Sequence, residues 1–241
     1  MPSRQQLQLE FAQRDISFQY AQLCLPSNCP RGIYVQLDDD DTHLWHCVVF
    51  VSQGPFNGGI FRFDIVFPST YPSSTPQVYF PPTLLHPLVD PDSGRLLLTS
   101  RFQTWRPRKD FVTHILGFVR EVFTEKYLQD LREGMVANAE VWRMFRSHRG
   151  LFNKLALQSV ALSTAPSSLY DVSGGSGFPN PSVGLNRVQP RGGGGDKAGR
   201  GIAARVDEAN GILFRKLEDD EMASLRRDIF GDEAEQSEVG V

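Results

Sequence analysis

Three runs rich in β-branched and aromatic residues follow one another with only short polar turns between them: Gly32 to Leu37, Leu44 to Ser52, and Gly59 to Phe67. Connections this short can join only antiparallel neighbours, because a parallel pair needs a crossover of a dozen residues or more. The three runs therefore predict a meander. Asp38 to Thr42 reads as the first hairpin turn, its four successive aspartates accounted for by solvation, and Gln53 to Gly58, with Gly54, Pro55 and Gly58, makes the second. Gln77 to Phe80, hemmed in by Pro72, Pro76, Pro81 and Pro82, is a fourth short strand suited to a sheet edge.

Helical periodicity brackets this sheet. Leu7, Leu9, Phe11, Ile16, Phe18, Tyr20 and Leu23 occupy a stretch free of Gly and Pro up to Pro26, which predicts an amphipathic opening helix ending near Cys24. After Pro107, the residues Phe111, Ile115, Leu116, Phe118, Val119, Val122 and Phe123 recur at helical spacing. Val136 to Leu162 reads as one long helix through Val141, Met144, Phe145, Phe152, Leu155 and Val160. Between strand and helices, Leu84 to Phe102 is irregular, with Asp90-Pro91-Asp92-Ser93-Gly94 as a tight turn; loops of this length usually carry a function or its remains. The fold class is α+β, with helices packed to one side of an antiparallel sheet.

All of these periodicities fall within residues 1–162, which predicts one domain there. In Ser173 to Gly201 ten of 29 residues are glycine, leaving little to bury against the entropy of ordering the chain, so 163–205 is expected to be a disordered linker. The run Gly192 to Gly195 is not a phosphate loop, since no Gly-Lys-Ser or Gly-Lys-Thr follows it. Residues 206–241 carry four basic against eleven acidic side chains, an acidic tail in which Leu213, Leu217, Met222, Leu225 and Ile229 are spaced for a short helix. The domain itself is balanced, 16 basic against 15 acidic residues, which disfavours nucleic acid as a partner; Arg106, Arg108 and Lys109 read as a solvated face.

No run approaches the length of a membrane span and the amino terminus lacks a signal-peptide pattern, so a soluble cytoplasmic protein is expected. Three cysteines, Cys24, Cys29 and Cys47, are an odd number and too few for a disulfide framework. His43, His46 and Cys47 do not make a metal site, because His43 and His46 at a strand start point to opposite faces. No cofactor is expected.

The residues at the junctions narrow the fold. Trp45, Gly54-Pro55, Gly58-Gly59-Ile60-Phe61, Phe67-Pro68, Tyr71-Pro72, Pro76, His86-Pro87 and Trp105-Arg106-Pro107 resemble, in order and spacing over about residues 29–123, the ubiquitin-conjugating enzyme (E2) family. The resemblance implies the ubiquitin-conjugating (UBC) fold. Read from physics alone, the same residues are structural: glycines for tight turns, Trp45 and Phe61 as core rings, prolines stiffening the exit from the third strand.

Active members of that family take up ubiquitin on a cysteine after a Gly-x-Ile segment, and the matching segment here resembles Gly94-Arg95-Leu96 followed by Leu97. A leucine cannot be a nucleophile. The asparagine of the family's His-Pro-Asn, an oxyanion donor, is matched by Leu88 after His86-Pro87, and the aromatic ligase anchor after Tyr71-Pro72 is matched by Ser73-Ser74. The resemblance therefore implies an inactive E2 variant with no catalytic residue, Leu97, Leu88 and His86 marking the degenerate positions.

Gly32-Ile33-Tyr34-Val35-Gln36, His86-Pro87-Leu88-Val89-Asp90-Pro91 and the Phe102 to Arg106 segment are most similar to the Fused Toes or AKT-interacting protein family of such variants. That likeness implies an adaptor that binds a Hook-type coiled-coil protein and an FHIP-type protein, coupling endosomal vesicles to dynein on microtubules. The alternative is a ubiquitin-binding or E2-partnering variant. For the adaptor, the expected partner surface is the carboxy-terminal helix, where Trp142, Phe145 and Phe152 supply aromatic bulk and Arg146 supplies charge.

Overall fold

The computed structural model describes residues 4–25, 27–170, 212 and 214–230. The chain opens with helix α1 (Arg4–Leu23), followed by strands β1 (Ile33–Leu37), β2 (Leu44–Phe50), β3 (Ile60–Val66) and β4 (Gln77–Tyr79). The strands form one antiparallel sheet in the order β1-β2-β3-β4, the meander that the short turns dictate. Register follows side-chain alternation. Trp45 lies opposite Leu37 and Ile65, Cys47 opposite Val35 and Phe63, and Val49 opposite Ile33 and Phe61, so these residues share the core face of the sheet.

Helix α2 (Val112–Val122) covers that face, burying Val112, Ile115, Leu116, Phe118, Val119 and Val122. Among the described side chains of α1, Ala12, Ile16, Gln19 and Leu23 are the buried ones, at the three- and four-residue steps of one helical face. Gln19 is polar for a reason: its side-chain oxygen accepts from the Val112 amide at 3.1 Å, satisfying a donor left open at the start of α2. The turn glycines do what the sequence asks of them. Gly54 and Gly58 sit at φ +80° and +85°, and at Gly59 a Cβ would lie 2.3 Å from the Phe61 ring.

The single long helix expected over Val136 to Leu162 is two helices, α4 (Ala139–Ser147) and α5 (Arg149–Ser163). His148, at φ −132° and ψ 58°, ends one and starts the other, donating its amide to Met144 O at 2.8 Å. An unanticipated short helix, α3 (Glu125–Asp130), follows α2, its amino end capped by Thr124 accepting from the Tyr127 amide. Order also reaches past residue 162: α5 ends at Ser163 and α6 spans Pro166–Tyr170, so the first part of the expected linker belongs to the folded unit. The glycine-rich stretch itself lies outside the described residues. In the acidic tail, α7 (Asp219–Phe230) forms where the spacing predicts a helix, with Met222 and Leu225 exposed; Leu213 and the side chain of Ile229 lie outside the described residues.

Candidate functional site

The segment from Leu84 to Phe102 crosses the end of the sheet and is fixed by three kinds of contact. Isolated bridges pair Tyr79 with Arg95 and Val89 with Leu96. The Asp90 carboxylate accepts from the Ser93 hydroxyl at 2.7 Å and from the amides of Ser93 and Asp92, which holds it below the usual carboxylate range. Gly94 closes the turn at φ +70°, and a Cβ there would come within 2.2 Å of Phe80 O, so both backbone angle and space require glycine.

His86 is the polar residue most deeply set in this segment, and its chemistry is decided by enclosure. Its ring lies 5.4 Å from that of Phe56 and 5.3 Å from that of Phe123. The Leu88 amide donates to Nδ1 and Nε2 donates to Val122 O, both at 3.1 Å, so each ring nitrogen has a partner and the tautomer is set. Burial pushes the imidazole down to about 4, against a smaller upward pull from Val122 O, so it is neutral at pH 7. It acts as a splint between the loop and the end of α2.

Leu88 is fully buried, and its carbonyl accepts from the Leu97 amide at 2.8 Å; Leu97 itself is half-buried. The Pro87 carbonyl accepts from the amides of Ala137 and Asn138, tying the loop to the start of α4. Hydrocarbon therefore stands at both positions that the resemblance marks as degenerate. Nearby Thr99 is exposed, and the Ser100 hydroxyl lies 3.0 Å from the Tyr127 hydroxyl, which is no base. At Ser73-Ser74, the Ser74 hydroxyl accepts from Thr70 at 2.7 Å and no ring is offered.

The cysteines stand elsewhere. Cys24 follows α1, Cys29 precedes β1, and Cys47 sits in the middle of β2 on the core face. Burial raises the thiols of Cys29 and Cys47, the latter strongly, away from the thiolate that a nucleophile needs. A cavity of about 210 Å³ opens among Arg31, Phe50, Ser52, Arg120, Phe123 and Thr124. It holds no acid, thiol or imidazole with which to do chemistry.

The ubiquitin-conjugating enzyme family model matches residues 14–160, from within α1 to near the end of α5. The chain belongs to the ubiquitin-conjugating enzyme family. It is 33% identical over 144 residues to Protein crossbronx homolog of Culex quinquefasciatus, covering 58% of this chain and 61% of that protein. To AKT-interacting protein it is 31% identical over 135 residues in Homo sapiens, 56% of this chain and 44% of that protein. The corresponding protein of Salmo salar is 33% identical over 141 residues, 58% of this chain and 45% of that one. The chain thus spans about half the length of the curated relatives it matches. Within the ubiquitin-conjugating family it sides with variants of this kind, as the His86-Pro87-Leu88-Val89-Asp90-Pro91 string implies.

A second polar cluster, which the sequence reading missed, lies on the outer face of the sheet. His46 Nδ1 lies 2.9 Å from Asp64 Oδ1 and Nε2 lies 3.1 Å from Asp38 Oδ2, with all three side chains almost wholly buried. The hydrogen bond to Asp64, stronger than the opposing desolvation, and the further pairing with Asp38 raise the imidazole above its ordinary value. Asp38 is pushed up by desolvation, but the Asp41 and Asp40 amides and His46 outweigh that and hold it low. Asp38 is thus no solvated turn residue, as the run of aspartates suggested. The signal that distinguishes it is alternation: position 46 falls on the outer face of β2, where a histidine needs a partner if covered.

The residues expected to form a partner surface divide. Phe145 and Phe152 are 4% and 1% exposed, with ring centroids 5.0 Å apart edge to face, and so belong to the core. They offer no ring to a partner. Trp142 is half-buried and donates from Nε1 to Leu131 O at 3.2 Å, and Arg146 is exposed, donating to Gln129 O at 3.3 Å. Arg149 stacks 4.0 Å above the Phe145 ring and pairs with Glu125, so the arginines near these aromatics serve in part to seal the core.

Proposed function

We propose that this chain is a non-catalytic adaptor on a ubiquitin-conjugating fold, a subunit of a Hook/FHIP-type complex that couples endosomal vesicles to dynein-based transport. The observation that carries the first half is the pair of leucines: Leu88 fully buried and Leu97 half-buried, with the amide of one bonded to the carbonyl of the other. A loop knitted in this way presents neither nucleophile nor oxyanion donor. The likeness to AKT-interacting protein supports the second half.

Surface apolar residues support a helical partner. Phe11 and Phe18 of α1 are 63% and 56% exposed and stand seven residues apart on one helical face, and Leu151 and Leu157 of α5 are 49% and 60% exposed. With Phe145 and Phe152 in the core, Trp142 and Arg146 are the two of the four expected surface residues that a partner can reach.

Two measurements test the reading. Incubated with activating enzyme, ATP and ubiquitin, the full chain should give no reducible adduct on a gel; such an adduct would overturn the non-catalytic assignment. Purified with a Hook-type coiled-coil fragment and an FHIP-type protein, it should co-elute with them. Failure of both to bind, together with ubiquitin-induced NMR shifts on the chain, would turn the reading to a ubiquitin-binding variant.

A further inference from the structure

The outer face of the sheet is not open to solvent throughout. Val48, which alternation places on that face between His46 and Phe50, is 1% exposed. Its neighbours across the pairing are Tyr34 on β1 and Arg62 on β3. Tyr34 and Phe50 meet edge to face at 5.6 Å and remain 60% and 39% exposed, forming an aromatic shoulder beside the covered valine.

The neighbours of that valine meet the far end of the chain. Phe214 packs on Phe50 with ring centroids 6.2 Å apart and lies under the Arg62 guanidinium, whose central carbon is 5.0 Å from the ring centroid. The same guanidinium donates from Nη1 to the carbonyl of Ile212 and from Nη2 to the carbonyl of Leu169 at 3.2 Å. One side chain therefore ties the end of α6 to the tail, on either side of the 41 residues from 171 to 211. An arginine pairing with two backbone carbonyls and one aromatic face is held by groups that exist only when both segments are in place.

Immediately after this contact the chain turns into α7 through a local fastening. Arg215 pairs with Glu221 through two bonds of 2.8 and 2.9 Å, and the Glu221 carboxylate also accepts from the Glu218 amide at 3.1 Å. The fastening fixes where the helix begins relative to Phe214, so the acidic first turn of α7, Asp219 to Glu221, is carried to the sheet with the aromatic anchor.

We propose that the tail, through Ile212 and Phe214 to Leu217, is an intramolecular ligand of the outer sheet face, with Phe214 as its anchor and Arg62 as its clasp, closing that face until the tail is displaced. Because the segment is covalently attached, its docking is a first-order event and needs only modest intrinsic affinity to dominate over a free competitor. The site beneath it selects a short segment that offers an aromatic ring two residues after a carbonyl the guanidinium can reach. A partner using the face must break the same few contacts, so the tail sets a threshold for that interaction. The inference does not depend on the adaptor reading.

The test uses the full chain and the variant Phe214→Ala, whose altered residue lies outside the domain core. By NMR, the Val48 methyls and the Phe50 ring should shift in Phe214→Ala, while the methyls of Leu116 and Ile65 stay in place. Trypsin should cut after Arg215 and Lys216 about tenfold faster in the variant, the response to losing one aromatic anchor of moderate strength. Arg62→Gln, which keeps a planar amide but loses the two-carbonyl clasp, should raise cleavage in the same direction with the core resonances unchanged. Unshifted Val48 and Phe50 signals in Phe214→Ala, or equal cleavage rates in all three proteins, would overturn the proposal.

Discussion

Two histidines stand on opposite sides of one sheet and have their proton affinities shifted in opposite directions. His86, on the core side, is boxed by Phe56 and Phe123, and its two ring nitrogens are used by a backbone amide and a backbone carbonyl. His46, on the outer side, bridges two carboxylates. Burial alone favours the neutral imidazole; neighbouring carboxylates favour the charged one. His86 and Leu88 thus belong to the hydrophobic core in chemistry as well as in position, while the buried cluster of His46, Asp64 and Asp38 lies on the outer face.

The comparison can be broken most forcefully at Leu88. Leu88→Asn places an amide where nothing is arranged to bond it, and loss of apolar packing plus an unsatisfied polar group should lower unfolding free energy by about 3 kcal/mol in urea titrations. The double variant Leu88→Asn/Leu97→Cys should still form no ubiquitin thioester. A stable, thioester-forming double variant would show that the groove retains a latent reactive geometry and that the contrast between the two faces is superficial.

Acid should sharpen it next. The His86 value falls to about 4 in the folded chain against about 6.5 unfolded, so the unfolded state binds the extra proton and stability drops as pH falls through that window, by about 3 kcal/mol in total. Denaturant midpoints measured between pH 7 and 4.5 should show the slope. His86→Gln should flatten it, even if the variant is less stable throughout.

Alkali should act through the other ring. His46 is raised, so its contribution is fully present below its unfolded value near 6.5 and is lost as pH climbs through the folded value. Stability should therefore peak near neutrality, with an acid limb belonging to the core side and an alkaline limb to the outer side. His46→Asn should erase the alkaline limb and spare the acid one; loss of both limbs together would mean the two sites are coupled and the contrast false. The smallest effect belongs to Arg146, exposed and bonded only to Gln129 O: Arg146→Ala should change stability by no more than about 0.5 kcal/mol.

Local chemistry made much of this molecule legible from its residues. Gly54, Gly58 and the polar turns set the hairpins, alternation set the core face, and α1, α2 and all four strands fall within a few residues of where periodicity places them. What escaped depends on distant partners. The break at His148 has no proline to announce it, and the clustered aromatics and arginines of Trp142 to Phe152 have the composition of an interface although Phe145 and Phe152 pack inward. Helical spacing shows which residues share a face and is silent on what that face meets. Asp38 was hidden among aspartates because its partner, His46, lies across a turn, and the contact of Arg62 with Ile212 spans 150 positions. At the candidate site the sequence names Leu88 and Leu97 but not their setting: that Leu88 is fully buried and bonded through its carbonyl to the Leu97 amide depends on the folded loop.

The knitted loop has a consequence for how the molecule behaves in a crowd. β4 is only three residues long, and on its free side Phe80 donates to Gly94 O while Leu96 donates to Val78 O, both at 2.8 Å, so the loop lies along that margin as a selvage. An uncovered strand margin is a template for another chain. Gly94 holds the selvage in place, since any side chain there would strike Phe80 O. A substitution such as Gly94→Val should therefore show first as concentration-dependent self-association in light scattering, before bulk unfolding. Light scattering at rising protein concentration, read beside a thermal melt, checks that order of events.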